Sequence, residues 1–125
     1  MKIAIVGSRD FNNYELLKKT ITDFLFTNRT DEEFYEMSYK DHTIVSGGAK
    51  GADMLAERFA DEFELEKIIF KPDWDLYGKS AGFKRNKDII RNADVVFAFW
   101  DGKSKGTQHS INLAKEMDKE LYIIQ

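Results

Sequence analysis

Two stretches of this chain carry the residue types that hold an anion. The first is Ser46-Gly47-Gly48-Ala49-Lys50-Gly51-Ala52-Asp53. The second is Trp100-Asp101-Gly102-Lys103-Ser104-Lys105-Gly106-Thr107. Each runs from an apolar segment into a helical pattern. Backbone N–H groups of a glycine-rich turn, with a helix N-terminus behind them, bind phosphate without needing a basic side chain. The Ser and Thr hydroxyls of the second stretch add donors. Neither stretch is a Walker A loop or the dinucleotide GxGxxG pattern. Two plain tight turns would need fewer glycines and no hydroxyls, so the pair favours a ligand.

Other residues could serve the same crevice. In Gly7-Ser8-Arg9-Asp10-Phe11, Arg9 offers a planar fork of donors suited to phosphate or carboxylate. Its alternative is a surface pair with Asp10. Arg85 and Asn86 open a helix from which side chains reach a crevice. Trp74 and Tyr77 either stack a base or close the edge of the core. Asp53, in the first turn of a helix, either balances the helix dipole or bonds a ribose or an amine. Acid–base chemistry, if present, falls to Asp53, Asp101 or His109, with Asp73 in reserve. The histidines, His42 and His109, are too few and too separated for a metal site. The chain has no cysteine, hence no disulfide and no thiolate site. No metal and no required cofactor are expected.

The elements that must position these residues alternate along the chain. Strands are expected at 2–6, 43–46, 67–71, 94–99 and 121–124, the first a short, continuously apolar run of the kind buried on both faces. Helices are expected at 13–27, 51–63, 81–92 and 107–118 from their apolar spacing. Residues 28–42 read as a variable insertion, where Thr30 with Glu33 forms a capping box. A β-α alternation of this kind gives an α/β, Rossmann-like fold. Its open parallel five-stranded sheet has the order 3-2-1-4-5, with helices on both faces. The crevice lies where the order reverses, between strands one and four. With 125 residues, the chain is one domain, 1–125. Net charge is −3, which weighs against duplex nucleic acid as the main partner. No apolar run approaches a membrane span, so a cytoplasmic protein is expected.

Taken together, Gly-Ser-Arg-x-Phe, Ser-Gly-Gly-Ala-x-Gly-Ala-Asp, Pro-x-x-Trp, Ala-Gly-x-x-Arg-Asn and Phe-Trp-Asp-Gly-x-Ser-x-Gly-Thr resemble the SLOG superfamily. More narrowly, they are similar to its small YspA-type branch. The superfamily also includes the LOG phosphoribohydrolases and the DNA-processing Smf/DprA proteins. The resemblance covers Lys2 to Gln125, with 28–42 unmatched. It implies a nucleotide-type ligand, its phosphate held at Gly47 to Asp53 and at Ser104 to Thr107. It extends, residue by residue, to Gly7, Ser8, Arg9, Arg85 and Asn86. LOG hydrolases carry acidic residues just after the Gly-Thr of the last loop. Here Gly106-Thr107 is followed by Gln108-His109-Ser110, and no carboxylate appears until Glu116.

The leading expectation is therefore a binding module for an ADP-ribose-like or cyclic nucleotide, acting as a sensor or a sequestering domain. Its partner is a small molecule, with no duplex nucleic acid and no membrane, and the chain pairs as a homo-oligomer. The alternative is a nucleotide hydrolase or phosphoribohydrolase with a rearranged site. A single-stranded nucleic-acid binder is a third reading, which the acidic charge opposes.

Overall fold

The computed structural model describes residues 1–27 and 41–125. The insertion expected at 28–42 and its Thr30–Glu33 box fall almost wholly outside these residues. The element order is β1 (Lys2–Gly7), α1 (Tyr14–Thr27), β2 (Thr43–Ser46), α2 (Ala52–Glu62), β3 (Glu66–Ile69), α3 (Trp74–Tyr77), α4 (Ala81–Asn92), β4 (Val95–Phe99), α5 (Lys105–Glu116) and β5 (Glu120–Ile124). All sheet pairings are parallel and the order is β3-β2-β1-β4-β5. This is the Rossmann-like sheet that the alternation predicts.

Period-two alternation along the central strands divides the core. Ile3, Ile5, Phe97 and Phe99 join Leu17, Ile21, Ala56 and Phe59 of α1 and α2 in one cluster. Ala4, Val6, Val96 and Ala98 join Ile89, Ile90, Ile111 and Ala114 of α4 and α5 in the other. Successive strand side chains point to opposite faces, so one strand feeds both layers. That explains why the central strands are apolar throughout.

Most boundaries differ from the sequence expectation by one or two residues, and the differences beside the site have local causes. Helix α5 begins at Lys105, two residues early, because Ser104 caps it and its Oγ accepts the Thr107 N–H at 3.4 Å. Strand β3 ends at Ile69, before the proline. The loop after it folds into the short helix α3 and a 3₁₀ turn over Gly78–Ser80. Asp73 caps α3, its Oδ1 accepting the Leu76 N–H at 3.1 Å.

Outside the crevice, α1 is pinned to α2. The Tyr14 hydroxyl and Lys18 both donate to the Glu62 carboxylate, and the Arg58 guanidinium lies 3.9 Å from the Tyr14 ring centroid. Among the described residues no helix is long and apolar enough to cross a membrane.

Candidate functional site

The carboxyl ends of β1 and β4 part at the point where the strand order reverses, and a crevice of about 410 Å³ opens there. Its floor is Val6 and Gly7. A Cβ at Gly7 would lie 2.4 Å from the Phe99 carbonyl oxygen and 2.6 Å from the Ala52 Cβ. Only glycine lets β1 leave the sheet this close to β4 and α2. Ser8 follows, buried, its N–H donating to the Phe99 carbonyl at 3.0 Å. Its Oγ accepts the Asp101 N–H at 3.2 Å. The loop after β1 is thus fastened to the loop after β4.

One wall is the loop Gly47–Gly51 and the start of α2. Gly51 has φ +79, and a Cβ there would lie 2.3 Å from the Ser8 carbonyl oxygen. The Ala52 N–H donates to that same oxygen at 3.3 Å. The Asp53 side chain turns back and its Oδ2 accepts the Ala49 N–H at 3.1 Å. Asp53 is buried, and burial pushes its carboxyl above the ordinary value. The Ala49 N–H and the Arg85 charge pull it back. Two of this loop's amides therefore already have acceptors from the chain itself. Ser46 and Ala52 are fully buried and stand behind the wall, not in it; the Ser46 hydroxyl donates to the Ile5 carbonyl at 3.0 Å.

The opposite wall is the loop Trp100–Ser104 and the first turn of α5. Asp101 Oδ1 accepts the N–H groups of Lys103 and Ser104, each at 2.8 Å. Those bonds hold its carboxyl below the usual carboxylate value. The Trp100 indole N–H donates to the Ser104 carbonyl at 3.0 Å, which places Trp100 as a buttress of this loop. Thr107 Oγ1 donates to Ser104 Oγ at 3.1 Å. The first N–H groups of a helix have no partner within it. Here the cap takes that of Thr107, leaving those of Lys105 and Gly106. A Cβ at Gly106 would meet nothing within 4 Å, so this glycine borders open space in the crevice.

Arg85 and Asn86, in the second turn of α4, tie the two walls together. Arg85 Nη1 donates to the Gly47 carbonyl at 2.7 Å and Nε to Asn86 Oδ1 at 3.0 Å. The second bond fixes the Asn86 amide, so Nδ2 donates to the Gly106 carbonyl at 3.4 Å and to His109 Nδ1 at 3.3 Å. His109 therefore carries its proton on Nε2. Its ring packs edge-on against Phe83, outside the crevice lining, and burial lowers its pKa. Burial also lowers the pKa of Arg85; Asp53 opposes this and the like charge of Arg9 adds to it. Among the described residues neither Arg9 nor Arg85 forms an ion pair, so Arg9 does not take the surface pairing with Asp10.

Of the residues singled out in the sequence, the crevice gathers Gly7, Ser8, Arg9, Ala49, Asp53, Arg85, Asn86, Asp101, Ser104, Gly106 and Thr107. Gly47, Gly48 and Trp74 line a second groove, which shares Arg9, Ala49 and Arg85 with it. Gly51, Trp100, Lys105 and His109 border neither. Ser110 belongs to the lining and was missed. It lies three residues beyond Thr107, on the same helix face. Asp10 and Ile89 also contribute, through the return of the chain and the packing of α4.

The model of the YspA, cpYpsA-related SLOG family matches residues 1–77. The chain belongs to that family. It is 33% identical over 121 residues to the Gene 61 protein of Mycobacterium phage D29, covering 92% of this chain and 89% of that one. Its fold is similar to DNA processing protein A from Streptococcus pneumoniae, with TM-score 0.74 and 20% identity. It is also similar to DNA processing protein A from Helicobacter pylori, described for its single-stranded DNA binding mode, with TM-score 0.68 and 23% identity. These likenesses cover 99% and 98% of this SLOG chain but only 50% and 64% of the two solved chains.

The likeness overturns the partner expectation. A small molecule as the sole partner class does not stand beside a fold neighbour described for binding single-stranded DNA. The net charge of −3 sums the whole surface and does not describe any one face of it. The groove beside the crevice is locally basic, lined by Arg9, Lys50, Lys71 and Arg85 and by no carboxylate.

Proposed function

We propose that this SLOG domain binds the phosphate of a nucleotide unit in the crevice, whether the nucleotide is free or part of a single strand. The observation that carries the reading is the pairing of two guanidiniums with an open helix start. Arg9 and Arg85 repel one another and neither forms an ion pair among the described residues, although the buried Asp53 charge attracts Arg85 from the wall. Across from them lie the Ser104 and Thr107 hydroxyls and the first turn of α5. An anion between them relieves the repulsion and accepts charge-assisted hydrogen bonds. The crevice volume matches the lower range of small-molecule sites.

Calorimetry with 5′-AMP and ADP-ribose, and anisotropy with a labelled oligodeoxynucleotide, test the reading and separate the two carriers. Binding in either arm, weakened about tenfold or more by Ser104→Ala with Thr107→Ala, supports it. A strand as carrier gives steep salt dependence, and a free nucleotide a shallow one. No binding below millimolar in either arm overturns it.

A hydrolytic reading rests on one observation, the buried Asp53 carboxyl with a raised pKa at the crevice wall. Nucleotide turnover followed by chromatography, lost in Asp53→Asn, would establish it. Asp101 is a poor proton donor, since its carboxylate is committed to two backbone amides.

A further inference from the structure

Beside the phosphate crevice lies a second groove of about 520 Å³. Its walls include Trp74, Lys71 and Gly48, and it shares Arg9, Ala49 and Arg85 with the crevice. With Lys50, four of its nine lining residues are cationic and no carboxylate lines the groove. An occupant is therefore anionic at the shared guanidiniums and planar or apolar beyond them.

Trp74 differs from the other exposed aromatics. Tyr77 is covered by the Lys84 ammonium at 4.5 Å, Phe83 meets the His109 ring at 4.6 Å, and Tyr122 stacks on Phe97 at 5.1 Å. Trp74 is 54% exposed and belongs to neither core cluster, so it does not close the core edge. Behind its indole is Gly82, whose Cβ position lies 3.7 Å from Cη2. Among the described residues no ring or cation pairs with it. A large indole left open beside two guanidiniums is what stacking of a nucleobase uses.

We propose that Trp74 is the stacking platform for the base of the nucleotide whose phosphate occupies the crevice. The proposal rests on the phosphate reading and adds a second subsite to it. Arg9 and Arg85 mark the junction, where ribose and phosphate meet. Because stacking tolerates every base, the groove selects nucleotide over bare sugar phosphate more than one base over another.

The test compares 5′-AMP with ribose 5-phosphate on the whole chain. In the native protein AMP binds about tenfold or more tightly than ribose 5-phosphate and quenches tryptophan emission, which ribose 5-phosphate does not. Trp74→Ala removes the AMP advantage and leaves ribose 5-phosphate affinity unchanged. Trp74→Phe keeps most of the affinity but loses the quench. Tyr77→Ala, on the same short helix, changes neither. If Trp74→Ala weakens both ligands equally, or weakens neither, the platform is refuted while the phosphate site stands. If the native protein binds neither ligand, the platform falls, and the phosphate reading falls with it when the oligodeoxynucleotide also fails to bind.

Discussion

At the loop between β2 and α2, the acceptor that faces the backbone amides is supplied by the chain itself. Asp53 sits inside the first turn of α2 and folds its carboxylate onto the Ala49 N–H. At the loop between β4 and α5, the carboxylate stands ahead of the helix. Asp101 takes the amides of Lys103 and Ser104, and the start of α5 keeps the amides of Lys105 and Gly106 and the Ser104 hydroxyl proton without an acceptor among the described residues. Both loops are glycine-rich and both precede a helix. The difference teaches that glycine content alone does not make an anion site. The position of the nearest carboxylate relative to the helix start decides whether the site is already filled.

The same substitution made in each loop should separate them most sharply. Gly51→Ala forces a Cβ against the Ser8 carbonyl at a φ of +79. It should cost about 3 kcal/mol of stability, read by urea unfolding. Gly106→Ala meets nothing within 4 Å and lies in a helix. It should leave stability unchanged or raise it by about 0.5–1 kcal/mol, while its methyl group weakens anion binding at the crevice. Equal effects on stability would erase the contrast between the loops.

Arg85→Ala comes next, because that side chain bridges the walls. Anion affinity should fall at least about tenfold, with a stability loss of about 1 kcal/mol from the broken bond to Gly47. Calorimetry and thermal unfolding on the same sample would tell the two effects apart. Retained affinity would remove Arg85 from the binding machinery.

Asp53→Asn opens the filled loop. It keeps an acceptor for the Ala49 N–H but removes a negative charge beside the crevice, so anion affinity should rise about threefold. In the native protein, protonating Asp53 has the same effect. Affinity for a phosphodiester probe should therefore climb as pH falls through a value above the ordinary 3.8, and the Asn variant should lose that slope. A variant that binds more weakly would recast Asp53 as a ligand contact.

The smallest effect concerns His109. Its folded pKa lies below the ordinary 6.5, so the unfolded chain takes up the proton first. Its contribution to stability is full above about 6.5 and is lost as pH falls from there towards the folded value. His109→Gln should flatten that limb in urea unfolding at pH 7 and pH 5.5, and an unchanged slope would place the histidine outside the linkage.

The sheet was legible because its central strands are apolar on both faces and its helices carry clean 3.6-residue spacing. The strand order followed from chain connectivity alone. The crevice was legible too, since glycines and hydroxyls after β1, β2 and β4 fall at one end of a parallel sheet. Side-chain commitments were not. Whether Asp53 turns back on Ala49, or Asp101 onto Ser104, depends on loop conformations that spacing does not encode. The short helix at Trp74–Tyr77 had a local signal in the Asp73 cap, which the surrounding glycines and proline masked. The basic edge was hidden by an acidic average, because Lys71 and Arg85 meet Arg9 only through the fold.

Arg85 and Asn86 are neighbours in sequence, yet one grips the Gly47 carbonyl and the other the Gly106 carbonyl. The span between the two loops is thus measured by a single dipeptide. A guest too wide for that span must break one of the two grips before it can enter. Under the phosphate reading proposed above, the crevice would work as a gauge: size would be rejected in a step, by a whole hydrogen bond, and not by gradual yielding of the walls.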